Sequence, residues 1–71
     1  MLLVRLSANE IFDMTTGLTY FHYEAGKPAL EIWNSPAGPQ ANMVDVASGE
    51  YAIALWEFLE KSVIVEPPKE K

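Results

Sequence analysis

The chain has 71 residues, 49% of them hydrophobic, and ten acidic against five basic side chains give it a formal net charge of −5. That length permits one domain, and a chain so short buries a small share of its surface, so its stability is marginal without help. There is no cysteine and a single histidine, which excludes disulfides and leaves too few nitrogen and sulfur ligands for a structural zinc site.

In chain order, "MLLVRL" is a short apolar run that predicts a strand, too brief for the core of a signal peptide. "SANE" matches a capping box, with Ser7 as N-cap and Glu10 three residues on. A helical turn from Ala8 and a strand through Ile11 to Asp13 both fit; the strand is preferred because "IFD", "MTTG" and "LTYF" read as two strands around a glycine-ended turn. With Gly17 left-handed, that turn sets Met14 opposite Leu18 and Phe12 opposite Tyr20. A type I turn over Glu24 and Ala25, with Gly26 left-handed, makes the second hairpin. It sets Tyr23 opposite Lys27, Phe21 opposite Ala29, Tyr20 opposite Leu30 and Thr19 opposite Glu31.

Strand alternation then sorts the side chains into two sets. Phe12, Met14, Leu18, Tyr20, Leu30 and Ile32 form an uncharged set, the expected core face. Ile11, Asp13, Thr19, Phe21, Tyr23, Ala29, Glu31 and Trp33 fall on the other face. "NSPAGPQAN" is a loop and "MVDV" an alternating strand. "SGEYAIALWEFLEKS" is the clearest helix, with Ser48 as N-cap, Glu50 near its positive end and Lys61 near its negative end. "VIVEPP" predicts a last extended segment before two prolines.

The expected fold is α+β: an antiparallel meander of four to five strands with one C-terminal helix packed on one face. Residues 1–66 form the domain and 67–71 a flexible tail. One sheet face then has no second layer within the chain. Its expected partner-binding residues are Ile11, Phe21, Tyr23, Glu31 and Trp33, because exposed contiguous apolar area marks interaction sites and Trp and Tyr are typical anchors. The competing reading has the N-terminal segment or "VIVEPP" folded over that face. On the helix, Ile53 and Trp56 lie beyond the stripe that one sheet would cover, which predicts a homodimer through these two residues. Alternatively "VIV" folds back over Trp56.

Catalytic machinery is not expected. His22, Glu24 and Glu10 form at most a rim histidine with carboxylate neighbours, Ser48 is a cap without a base, and "GKPALE" lacks phosphate-loop spacing. No metal or cofactor is expected, and no apolar run reaches the ~20 residues of a membrane span. The default localisation is cytoplasmic. The leading expectation is a small non-enzymatic interaction or regulatory protein binding a protein partner. The alternative is a single-stranded nucleic-acid binder that stacks bases on Phe21, Tyr23 and Trp33, although only Arg5, Lys27 and Lys61 serve the body of the domain.

From Glu10 to Ser62, with "GKPALEIW" as a strand after a tight turn and "MVDVASGEYAIALWEFLE" as last strand and helix, the chain resembles single-stranded-DNA-binding domains of the transcriptional-coactivator and whirly type. The resemblance implies a strand meander, one helix and a dimer. Those domains bring basic residues to a concave sheet face, where this chain offers only Lys27 beside Asp13 and Glu31, so DNA binding is not implied with it.

Overall fold

The computed structural model describes residues 2–23, 28–34 and 41–65. Strands β1 (Leu3–Ser7), β2 (Glu10–Asp13), β3 (Leu18–His22), β4 (Leu30–Asn34) and β5 (Asn42–Ala47) are followed by helix α1 (Gly49–Ser62) and strand β6 (Val63–Val65). They form one sheet in the order β5-β4-β3-β2-β1-β6. The class is α+β, as expected. The sheet, however, has six strands and is mixed, because β6 lies parallel to β1.

The helix is the reason for that last strand. It begins two residues after β5, at one edge of the sheet, and runs without a break into β6, at the other edge. Fourteen helical residues rise ~21 Å, and five inter-strand spacings of ~4.8 Å span ~24 Å. Ser48, the one residue between β5 and the helix, adds ~3.5 Å, so the connection is just long enough to cross the sheet. "VIV" pairs at the edge, neither over Trp56 nor over the open face, and β1 is likewise a member of the sheet. Nothing from the described residues covers the second face.

The core lies between helix and sheet. Leu3, Ile11, Leu30 and Ala47 meet Ala52, Trp56 and Leu59, with Tyr20, Ala29, Leu55 and Val63 packed around them. Arg5 ties the helix to β1, donating to a Glu60 carboxylate oxygen at 3.2 Å and to the carbonyls of Ser7 and Ala8.

Ala8 and Asn9 form a turn, not the start of a helix. Ser7 Oγ accepts from the Asn9 N–H at 3.2 Å, so the apparent capping box is spent on a tight hairpin. The next turn corrects the expected register. Asp13 Oδ1 accepts the Thr15 N–H at 2.9 Å, and the Asp13 carbonyl accepts the Gly17 N–H at 2.8 Å. The loop thus takes four residues, Met14 to Gly17, instead of three. Asp13 pairs with Leu18, Phe12 with Thr19 and Ile11 with Tyr20. A slip of one residue turns every β2 side chain over. Ile11, expected on the open face, is fully buried in the core; Phe12 moves out to the open face and Met14 is exposed.

In the second hairpin Tyr20 pairs with Ile32, Phe21 with Glu31 and Thr19 with Trp33. This differs from expectation by two residues, an even number, so the expected faces survive. Leu30 and Ile32 are buried, Tyr20 is half-buried, and Thr19 and Glu31 stay away from the helix. The proposed turn at Glu24–Gly26 lies outside the described residues.

Gly17 sits at φ +83, and the nearest group to an added Cβ is Asn34 Oδ1 at 3.9 Å. Space is available, so only the backbone opposes a side chain. Gly17→Ala should lower unfolding free energy by ~1–2 kcal/mol, read from the urea midpoint at unchanged slope.

Candidate interaction face

Two cross-strand rows make up the sheet face turned away from the helix. One runs Glu10–Phe21–Glu31–Val46 and the other Val4–Phe12–Thr19–Trp33–Met43. Strand alternation puts each row's members on the same side. The Phe21 and Trp33 rings meet edge to face, 6.2 Å between centroids at 84°, a favoured arrangement for aromatic pairs. Thr19, between Phe12 and Trp33, is buried by its neighbours.

Glu31 organises the rings. Its Oε1 accepts both the Tyr23 hydroxyl and the Trp33 indole N–H, each at 3.0 Å. Tyr23 is two residues beyond Phe21 on the same face, and its N–H donates to the Ala29 carbonyl at 2.9 Å. Three neighbouring positions, 23, 31 and 33, are thereby locked into one hydrogen-bonded unit. Donation to Glu31 holds the Tyr23 hydroxyl above its ordinary value of 10.0, with desolvation and the Glu31 charge adding to the effect.

Of the five residues expected to form this face, Phe21, Tyr23, Glu31 and Trp33 come together and Ile11 does not. Phe12 takes its place, joined by Val4, Thr19, Met43 and Val46. Phe12 was legible in "DMTTG": an Asp that opens a turn bonds its own backbone two residues on and lengthens the loop.

The expected self-association pair separates. Ile53 is 53% exposed but Trp56 only 6%. The Trp56 ring stacks on His22, 4.9 Å between centroids at 12°. Trp56 is thus a core residue whose outer side is closed by the sheet, which corrects its expected place beyond the stripe that the sheet covers. The same stack occupies His22. It pairs with Leu30 on the helix side, whereas Glu10 pairs with Phe21 on the open side; Glu24 lies outside the described residues. Among the described residues no group of three or more His, Cys, Asp or Glu side chains is placed to hold a metal ion. They enclose no cavity, and no helix among them is long and apolar enough to cross a membrane.

On the helix side, burial raises the Tyr20 pKa, and the charges of Asp13 and Tyr51 raise it further. Tyr20 and Tyr23 therefore hold their protons more tightly folded than unfolded. The stability this contributes is complete below pH ~10 and is lost as pH rises through the folded values. In a tyrosine ring titration, Glu31→Gln should bring Tyr23 down towards 10.0 and leave Tyr20 raised. Trp56→Ala should destabilise by ~3–5 kcal/mol and give largely unfolded chain by circular dichroism, where a surface residue would leave the fold intact.

No protein-family model, curated protein or solved structure matches the chain.

Proposed function

We propose that the protein is a small non-enzymatic interaction protein that binds a protein partner through the open sheet face. The observation that carries this reading is the Glu31 unit. An acidic side chain fixes Tyr23 and Trp33 in place beside Phe21, on a face that the described helix leaves uncovered. Preorganised aromatic side chains lose little rotamer freedom on docking, which is why they anchor interfaces.

Nucleic acid is the less favoured partner. Phosphate neutralisation needs Lys or Arg, and neither described basic residue serves this face: Arg5 bonds Glu60 on the helix and Lys61 is part of the helix. A helix-mediated dimer is not part of the proposal. Trp56, one of the two residues expected to carry it, is buried in the core.

Affinity capture from an extract of its own source cells tests the reading, comparing wild type with Phe21→Ser/Trp33→Ser and with Ile53→Ser as control. Wild type and the control should retain a common protein that the double variant loses, with or without nuclease. Retention of the same set by all three would overturn the proposal, and capture that disappears with nuclease would favour nucleic acid.

A further inference from the structure

Phe21 has a carboxylate directly beside it on each neighbouring strand: Glu10 across the β2–β3 pair and Glu31 across the β3–β4 pair. Two inter-strand spacings separate these acids by ~10 Å at the backbone, with one aromatic ring between. Glu31 spends a single oxygen, Oε1, on Tyr23 and Trp33. Among the described residues its Oε2 and both oxygens of Glu10 have no hydrogen-bond partner, and none of the described residues brings a cation to this face.

We infer that the row Glu10–Phe21–Glu31 receives an arginine side chain from a basic segment of the partner protein. The inference rests on the interaction reading above and names its chemistry. A guanidinium is planar, stacks on an aromatic face, and presents N–H groups around its edge to carboxylates. Over Phe21 it would meet both acids at once, with Trp33 as a perpendicular wall. Lysine fits less well, because an ammonium is a compact, strongly hydrated point charge that cannot satisfy two separated carboxylates in one plane. Tyr23 and Trp33 fix Glu31 before the partner arrives, so less freedom is lost on binding. In an open face each such contact is weak, and affinity depends on several arginines in an extended segment.

The test is an NMR titration of the folded protein with octa-arginine, with octa-lysine as comparator, following the two indole N–H signals. Trp33 should shift on adding the arginine peptide, while Trp56, buried on the opposite side, should not. Octa-lysine should bind more weakly. Glu31→Gln, which keeps an acceptor for Tyr23 and Trp33, should weaken binding about fivefold. Glu57→Gln, an equal loss of charge on the exposed helix surface, should not. The inference is overturned if Trp33 does not respond, if the lysine peptide binds equally well, or if Glu31→Gln and Glu57→Gln behave alike. Should the capture experiment succeed while this titration fails, the interaction face stands and the arginine assignment falls. Failure of both removes the face itself.

Discussion

The turn around Asp13 decides what this molecule shows to its surroundings. One carboxylate oxygen bonded to the Thr15 N–H, and one carbonyl bonded to the Gly17 N–H, fix a four-residue loop. A loop one residue shorter would reverse β2. Ile11 would then face solvent and Phe12 the helix, exchanging a compact aliphatic side chain for a ring at a fully buried site. The carboxylate that sets this register is itself 2% exposed. A buried acid is tolerable only while its hydrogen bonds are made, so the turn and the register support each other.

The second constraint is length. A helix that must reach from β5 to β6 with almost no connecting residues has one course, across the strands, and it covers one face only. Its buried residues, Ala52, Trp56 and Leu59, are those whose spacing brings them onto a single stripe. Trp56 is held there by a stack with His22, the chain's lone histidine. Everything aromatic and polar on the other side of β3 and β4 then stands free of the core, and Glu31 gives those side chains a fixed arrangement.

Much of this was legible in the sequence. The helix, the two hairpins and the opposite faces of Leu30–Ile32 and Glu31–Trp33 follow from periodicity and turn placement, and Ser48 takes the N-cap position although its side chain makes no capping hydrogen bond. The second hairpin tolerated a two-residue error in register because alternation has a period of two. The first did not tolerate an error of one. A side-chain hydrogen bond from Asp13 adds a residue to the loop without altering the pattern of apolar positions, and so Ile11 and Phe12 exchanged roles. Trp56 departs from the helical pattern for a different reason. Counting apolar arc on the helix ignores what the sheet offers, and an imidazole on β3 widened the stripe that the sheet covers. Strand β6 needed the third dimension: a parallel partner for β1 arises only because the helix ends at that edge.

The register of β2 is the point on which the open face and its aromatic content depend, and proton contacts by NMR measure it directly. With the register found here, Ile11 methyl groups should show contacts to the Leu3, Leu30 or Leu59 side chains, and the Phe12 ring contacts across the open face to Thr19 or Val4. Contacts from Phe12 to Ala52 or Leu59, with Ile11 free of the core, would contradict it.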